Sequence, residues 1–311
     1  MNVKRFTLRE NNDSVEFSNL LNLYNKMAKY CNPTAYEINE EFASVIFNTN
    51  PDLWNNTIIF ENPQNKIIGF ASIMKLPFYK DEWFVIYGIE PEYFESKLPE
   101  TLIEEILKIG TARDFQELYF QTSGTVSEPF DQKLRTLGFD PIHYYFFMSK
   151  EDSNILKSPE MPEGFSITGT SNIEDYKSIV SVINEAFKDS FMWNELKVRK
   201  WRKMMETINI NREYEYGIVN NGEKCIAFCN SYIDLNEKDK GFINTLAVIP
   251  DYQGRGIGSA LFISRVNFLI KKGCMKINLP VDAKNEGALQ LYEKYGFHKI
   301  KDLTERTYRL L

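Results

Sequence analysis

The chain has 311 residues, enough for two domains of ordinary size, and 43% of them are hydrophobic while 26% are charged. A formal net charge of -6 and a pI near 5.3 provide no basic field for nucleic acid or an anionic membrane surface, and they favour a cationic ligand. No stretch approaches the ~18 apolar residues of a membrane span, and the N-terminus carries no apolar signal segment. We therefore expect a cytoplasmic protein without nucleic-acid or membrane partners.

The cysteines and histidines predict no metal site. The four cysteines form no Cys-x-x-Cys pair, and neither His143 nor His298 has a second histidine or a cysteine at ligand spacing. We expect the thiols to be reduced and mostly buried.

The chain repeats one set of landmarks at a spacing of 158 or 159 residues. Pro91 and Pro250 each end an apolar run and lie 159 residues apart, and Gly138-Phe139 precedes Gly296-Phe297 by 158. Three further pairs share this spacing: Phe6 with Phe165, Tyr93 with Tyr252, and the runs that start at Ile67 and Cys225. The repeat predicts two copies of one domain, residues 1–152 and 165–311, joined by a polar, proline-containing segment near 151–164.

Within the second copy, the spacing of apolar residues predicts an alternation of strands and helices. In chain order these are a strand at 165–167, helices at 173–187 and 198–208, a hairpin from 214–219 through 226–233, a strand at 242–248, a helix at 256–272, a buried strand at 275–281, a helix at 286–295 and a closing strand or hairpin at 298–311. This order predicts a mixed α/β domain.

A glycine-rich loop separates the strand at 242–248 from the helix that follows it. Gly254, Gly256 and Gly258 allow a tight turn and a close approach of backbone to a ligand, and the first amides of a helix attract an anion such as a diphosphate. Arg255 adds a positive charge at the same place. A turn that only allows close packing of strand and helix is the alternative.

The loop fits two nucleotide-binding motifs less well. A Walker A loop requires a terminal Gly-Lys-Ser/Thr, which is absent. The dinucleotide pattern Gly-x-Gly-x-x-Gly would start at Gly254, but its third glycine position is Ser259, while Asp282 lies at a plausible distance for a ribose contact. A dinucleotide-dependent oxidoreductase therefore remains a weaker alternative.

The segment Gln253–Gly258 resembles the acetyl-coenzyme A motif Arg/Gln-x-x-Gly-x-Gly/Ala of the GNAT (GCN5-related N-acetyltransferase) family, and it follows a strand ending in Ala-Val-x-Pro. Downstream, Asn285, Ala288, Leu291-Tyr292 and Gly296-Phe297 resemble the late segment of that family at the expected separation. The resemblance covers residues 165–311. It implies two tandem GNAT-like domains, each with a mixed, mostly antiparallel sheet flanked by helices.

The resemblance also implies a donor site for acetyl-coenzyme A (acetyl-CoA) and no metal. Pantetheine would lie along the strand, where backbone N–H groups bind it and polarise the thioester carbonyl. Tyr292 would be the general acid that protonates the leaving thiolate, although a tyrosine packed in the core is the alternative role. The implied cofactor-binding residues are Leu246, Ala247, Val248, Gln253, Gly254, Arg255, Gly256, Ile257, Gly258, Ser259 and Asn285.

The acceptor implied by the resemblance is a primary amine on a small molecule or a peptide. Many relatives carry a carboxylate on the central strand, but residues 242–248 contain none, and Phe242 stands at the position that holds it in relatives of tandem layout. Glu215 and Asp234 are candidate bases, with solvated strand-end charges as the alternative. Residues predicted to line either the acceptor pocket or the core are Phe191, Met192, Trp193, Tyr214, Tyr216 and Tyr232.

The first copy lacks the glycine loop. Residues 94–99 align with 253–258, so all three glycines are replaced, and Glu95 places a negative charge beside the phosphate position. We predict that this copy keeps the fold without binding coenzyme A, and that it forms a wall of the acceptor pocket or the interface of a homodimer. The main prediction is therefore an acetyl-CoA-dependent N-acetyltransferase, with a coenzyme A-binding sensor that performs no turnover as a second class.

Overall fold

The computed structural model resolves the chain into two compact units: residues 1–145 with 301–311 form unit 1, and residues 146–300 form unit 2. The residues that the structure describes are 2–5, 14–35, 37–47, 50, 53–76, 82–115, 117–124, 128–157, 160–170, 173–209, 213–222, 224–234 and 237–310. The landmark Phe6 of the sequence repeat lies outside them.

Unit 1 contains the elements of the first sequence copy. They are β1 (Asn2–Arg5), α1 (Ser14–Cys31), α2 (Glu40–Phe47), β2 (Thr57–Glu61), β3 (Ile67–Lys75), β4 (Trp83–Ile89), α3 (Leu98–Ala112), β5 (Leu118–Ser123), α4 (Glu128–Thr136) and β6 (Phe139–Lys150), whose last residues, from Phe146, belong to unit 2.

Unit 2 contains ten elements in the same order. They are β7 (Phe165–Thr170), α5 (Tyr176–Phe187), α6 (Val198–Asn209), β8 (Glu213–Asn221), β9 (Lys224–Ile233), β10 (Lys240–Val248), α7 (Ile257–Lys271), β11 (Lys276–Asp282), α8 (Glu286–Lys294) and β12 (His298–Leu310). From Lys301 onward, β12 belongs to unit 1, where it pairs antiparallel with β5. The compact units thus differ from the two sequence copies at the last strand of each.

The strand order confirms the predicted fold class. In unit 2, β7, β8, β9 and β10 pair antiparallel in sequence, and β10 pairs parallel with β11. In unit 1, β1 to β4 are likewise antiparallel and β4 pairs parallel with β5. Each unit therefore has mixed, mostly antiparallel strand pairing, with one parallel pair at the end of a run of four antiparallel strands.

Helix α5 begins three residues later than the apolar spacing predicted. Asp175 precedes the helix, and its carboxylate accepts a hydrogen bond from the N–H of Ser178 at 2.9 Å, so it is the N-cap. An apolar residue before the cap, Ile173, packs in the same core and extends the hydrophobic pattern beyond the helix itself. The pattern predicted the packing correctly and the boundary inaccurately.

Helices cover both faces of the sheet in unit 2. Residues of α7 and α8 form one core cluster with Ile277 and Leu279 of β11, and residues of α5 and α6 form another with Phe228 and Phe242. Strand residues alternate between the two clusters, because successive side chains point to opposite faces. Among the described residues, no helix has the length and apolar character needed to span a membrane.

Candidate active site

The glycine loop connects β10 to α7 by a backbone path that glycine alone adopts easily. After one 3₁₀ turn at Pro250–Tyr252, Gly254 has a φ of 72° and Gly256 a φ of 80°, both in the left-handed region. A Cβ built on either glycine would have no atom within 4 Å. Backbone conformation therefore requires these glycines, and the space beside the loop is open to a ligand.

The first turn of α7 presents backbone donors without acceptors. Its N-cap, Gly256, has no side chain to accept a hydrogen bond, and the first intrahelical bond runs from the N–H of Ala260 to the carbonyl of Gly256 at 3.0 Å. Within the described part of the chain, the N–H groups of residues 257–259 consequently have no hydrogen-bond acceptor. These donors and the helix dipole form a site complementary to a phosphate group.

The two polar side chains of the loop hold its shape. Gln253 donates from Nε2 to the carbonyl of Val248 at 2.9 Å, which ties the loop to the end of β10. Arg255 donates from Nη2 to the carbonyl of Asp251 at 2.8 Å, and its guanidinium lies 5.3 Å from the Tyr252 ring. Arg255 is exposed, and its remaining N–H groups face solvent beside the open loop.

The remaining loop residues contribute through their backbone. The Ile257 side chain is fully buried in the cluster under α7, so only its amide faces the loop. Gly258 packs beside β10, since a Cβ there would lie 3.4 Å from Cγ2 of Val248. Ser259 is half-buried. The end of β10, the loop and the first turn of α7 thus form one continuous surface.

A fork opens between β10 and β11 next to this loop. The two strands pair only over Lys240–Phe242 of β10 and Lys276–Asn278 of β11, whereas β10 continues along β9 to Val248. The register of β10 against β9 shifts between Ile243 and Thr245, which marks a bulge at the point of divergence. Beyond the vertex, no described strand pairs with the β11-facing edge of β10.

Alternation along β10 determines which amides reach the open edge. The N–H of Ile249 donates to the carbonyl of Ile226 on the β9 side, at 3.0 Å. The backbone of Ala247 therefore also faces β9, while the N–H groups of Leu246 and Val248 point into the fork. Two donors two residues apart thus line the fork, and the amide of Ala247 is not one of them.

Tyr292 lies in the same cluster as the β10 edge. Its ring is buried, 4.9 Å from that of Phe262 and 6.3 Å from that of Phe297, and Leu246 and Val248 pack against the same cluster. Burial, and to a smaller degree the nearby Cys229 thiol, raises the pKa of Tyr292 above its usual range. Its hydroxyl makes no hydrogen bond among the described residues and remains a proton donor at neutral pH.

Asn285 lies at the start of α8. Its Oδ1 accepts a hydrogen bond from the N–H of Ala288 at 3.0 Å, which makes Asn285 the N-cap of the helix that carries Tyr292. The residue is exposed, so its Nδ2 stays available to a ligand.

The predicted acceptor residues divide into core and surface groups. Tyr216 and Tyr232 are fully buried and stack on Phe228 and Phe242, respectively, so they belong to the core beneath α5 and α6. The half-buried set is Phe191, Met192 and Trp193. The side chains of Tyr214 and Glu215 lie outside the described residues, and Asp234 accepts a hydrogen bond from the N–H of Glu237 at 3.1 Å in a turn.

One polar group on the α5 face of the fork was not predicted from the sequence. Asn278 is the last residue of β11 that pairs with β10, and it is 1% exposed. Two signals were present: an amide inside the apolar run 275–281, and Pro280, which provides no N–H and is typical of an unpaired strand edge.

Unit 1 has a fork at the corresponding place, but α1 occupies it. β4 and β5 pair over three residues only, as β10 and β11 do. A Cβ on Gly88 of β4 would lie 3.2 Å from the Tyr24 nitrogen, and one on Gly124, after β5, would lie 2.2 Å from the carbonyl oxygen of Cys31. Lys26 of α1 also forms an ion pair with Glu90.

Other features of unit 1 differ from their counterparts at the candidate site of unit 2. At the spacing of 158, the counterpart of Tyr292 is Leu134, which is fully buried and carries no proton donor. Pro99 enters the first turn of α3 and removes one of its N–H groups. Residues 94–97 contain no glycine and no positive φ.

Comparison with known proteins finds relatives of the second half of the chain. Residues 178–297 match the model of the acetyltransferase (GNAT) family, a family of acyltransferase enzymes. Over 70 residues, 22% of this chain and 37% of the relative, the sequence is 37% identical to N-alpha-acetyltransferase MAK3 of Arabidopsis thaliana. The chain thus spans little more than a third of that curated relative.

Solved structures show the same fold along the whole chain. A tandem GNAT protein from the clavulanic acid biosynthesis pathway, solved without acetyl-CoA, aligns with 99% of this chain and 98% of its own at a TM-score of 0.74 and 12% identity. A GCN5-related N-acetyltransferase from Sphaerobacter thermophilus aligns with 99% and 94% of the two chains at a TM-score of 0.66 and 17% identity. The fold is therefore that of tandem GNAT proteins.

Proposed function

We propose that unit 2 is an acetyl-CoA-dependent N-acetyltransferase that transfers an acetyl group to a primary amine by direct attack on the thioester. The observation that carries the proposal is the convergence of two sets of unpaired backbone donors, at residues 257–259 and at the fork edge of β10, with the buried, protonated Tyr292. The first set suits a diphosphate, and the second suits an extended, amide-containing arm and the carbonyl at its end.

The residues proposed to hold the donor follow from this geometry. Gln253, Gly254 and Arg255 form the loop, and Gly256 through Ser259 supply the first-turn amides and the open space beside them. The amides of Leu246 and Val248 bind the arm, as an added strand would, and Ala247 keeps them in register. Asn285 contacts the donor through Nδ2.

Each residue has a defined part in the chemistry. The amine nitrogen forms a bond to the carbonyl carbon, and the negative charge that develops on the carbonyl oxygen is stabilised by a β10 amide in the fork. The C–S bond then breaks, and Tyr292 gives its proton to the leaving thiolate, which departs as free thiol. The former amine nitrogen releases its extra proton to water, and the Tyr292 phenolate takes up a proton from solvent. A raised pKa suits this part, because the hydroxyl stays protonated across the neutral range.

Transfer through an acylated cysteine is disfavoured in this unit. Burial raises the pKa of Cys229 to about 12 and that of Cys225 to about 11, so both are thiols rather than thiolates at neutral pH. Cys274 is fully buried as well. Direct attack by the amine is the mechanism that these groups favour.

The amine must lose a proton to attack. Asp234 accepts a hydrogen bond in a turn at the end of β9, an arrangement that serves the turn rather than proton transfer. We propose that water accepts this proton, and that the reaction rate rises with pH as the uncharged fraction of the amine increases.

We further propose that unit 1 does not bind coenzyme A. α1 has 18 residues against 12 in α5, and its C-terminal half lies against the ends of β4 and β5, where a donor would have to enter. A titration of the full chain would show one donor site under this proposal, and two sites would contradict it.

The function is tested by following free thiol released from acetyl-CoA in the presence of a panel of primary amines. The enzyme should release thiol in proportion to acetylated amine and form no product without an amine. A protein that binds acetyl-CoA and acetylates none of the amines would instead belong to the coenzyme A-binding sensors.

A further inference from the structure

Asn278 is a buried amide with no partner. It is 1% exposed, and neither Oδ1 nor Nδ2 has a hydrogen-bond partner among the described residues. An unpaired buried polar group lowers the stability of the native state, so apolar residues are strongly preferred at such positions. The flanking residues, Ile277 and Leu279, follow that preference. An amide at this place therefore requires a reason other than packing.

The side chain of Asn278 faces the α5 and α6 side of the sheet. Because Ile277 and Leu279 pack under α7 and α8, alternation directs Asn278 to the opposite face. Its register partner on β10 is Phe242, whose ring lies 4.9 Å from that of Tyr232 in the cluster on that face. Asn278 thus lies at the vertex of the fork, on the face away from the glycine loop.

Two residues beyond the vertex of the fork are more exposed to solvent than Asn278. Pro280, the next residue of β11 with the same orientation, is exposed, and so is Asn244 at the bulge of β10. Asn278 lies one side-chain repeat, about 6.6 Å, inward from Pro280. A molecule bound between Asn244 and Pro280 would lie over the vertex of the fork, and the apolar surroundings of the Asn278 amide would strengthen a hydrogen bond made to it.

The chemistry of a carboxamide defines its complement. It presents one acceptor, Oδ1, beside one pair of donors on Nδ2, and it carries no charge. An uncharged alkylamine can donate to Oδ1 while its lone pair attacks the thioester, but it leaves Nδ2 unpaired. An amine with a carbonyl group on the adjacent carbon satisfies both atoms.

We propose that Asn278 binds the acceptor and that the acceptor is an α-amino amide, an inference that rests on the proposed N-acetyltransferase function. Oδ1 accepts a hydrogen bond from the amine, and Nδ2 donates one to the adjacent carbonyl. The N-terminal residue of a peptide and a free amino-acid amide share this chemistry.

The test compares two amines of equal size on the full chain, with thiol release from acetyl-CoA as the assay. Glycinamide carries the adjacent carbonyl, and isobutylamine replaces the whole carboxamide by an isopropyl group, in which methyl groups stand for both the carbonyl oxygen and the amide nitrogen. With rates expressed per concentration of uncharged amine, kcat/KM of the native enzyme should favour glycinamide about 10- to 100-fold. In Asn278→Leu that ratio should fall to about 1, whereas the exposed Asn154→Leu should retain it.

Triglycine distinguishes the two sources of the acceptor. A higher kcat/KM for triglycine than for glycinamide assigns the acceptor to peptide N-termini, and the reverse order assigns it to free amino-acid amides.

A thermal unfolding measurement separates this role from a structural one. Because both amide atoms are unpaired, Asn278→Leu should keep or raise the Tm and leave acetyl-CoA affinity unchanged. A marked loss of Tm would mean that Asn278 has a structural partner and would overturn the inference. So would equal use of both amines by the native enzyme, or turnover of neither by an enzyme that acetylates another primary amine. Failure to bind acetyl-CoA would instead refute the proposed function itself.

Discussion

Replacing Tyr292 with phenylalanine removes one oxygen from the site and little else. The ring contacts with Phe262 at 4.9 Å and Phe297 at 6.3 Å are retained, and the hydroxyl makes no hydrogen bond among the described residues. We expect the free energy of unfolding to change by less than about 0.5 kcal/mol. Acetyl-CoA affinity should also be unchanged, since the loop and the β10 edge are untouched.

The same substitution should lower kcat by about 10²–10⁴, the usual contribution of a general acid, which corresponds to about 3–5 kcal/mol in the barrier. Thiol release from acetyl-CoA with a primary amine that the native enzyme acetylates measures kcat, and a titration with acetyl-CoA measures the affinity for the donor. Tyr295→Phe is the matched control and should keep full activity. Tyr295 lies three residues after Tyr292, and its ring is 6.4 Å from that of Phe262.

The pH profile gives a further check on Tyr292. An acid whose pKa is raised stays protonated up to and beyond its ordinary value near 10, so activity should not fall between pH 7 and 9. A kcat for Tyr292→Phe within twofold of the native value would refute the assignment of Tyr292 as the acid.

Three further substitutions test other parts of the structure by denaturant unfolding. Burial raises the pKa of Glu305 from 4.5 to about 7. The native state therefore holds this proton more tightly than the unfolded state, and the protein loses stability as the pH rises from 4.5 to 7. The free energy of unfolding of Glu305→Gln should exceed that of the native protein by about 1–3 kcal/mol at pH 8 and by little at pH 4. An equal gain at both pH values would argue against this. Asn285→Ala removes the N-cap of α8 and should cost about 1 kcal/mol, and no change would mean the cap is unimportant. Gly124→Ala should cost more than 2 kcal/mol, because φ is 75° and the new Cβ would lie 2.2 Å from the Cys31 carbonyl; a neutral outcome would contradict the packing of α1 at that strand end.

The sequence predicted the elements of unit 2 because each carries a local signal. Apolar spacing located α5 and α7, the glycines located the loop, and the repeat predicted that unit 1 would show the same order of elements. Boundaries were less accurate where a polar cap such as Asp175 interrupts an apolar pattern. Local signals thus predict the existence of elements better than their ends.

The fork and its contents depend on contacts between distant parts of the chain. No residue pattern in β10 predicts that its pairing with β11 stops at Phe242. Only Pro280, which has no N–H, indicates that the facing edge of β11 is unpaired. The position of α1 against Gly124 depends on contacts between residues 93 apart in sequence, and no local signal indicates it. The assignment of residues 146–150 of β6 and 301–310 of β12 to the other unit likewise has no local signal.

The measurement that tests the central claim most directly is an isothermal titration of the full chain with acetyl-CoA, repeated on Gly256→Trp. Gly273→Trp is the control, because Gly273 also has a positive φ, of 97°, and open space around it, but lies after the C-terminal end of α7. We predict one site per chain, lost in Gly256→Trp and retained in Gly273→Trp. No binding to the native protein, or equal binding by all three, would contradict the assignment of this loop as the donor site.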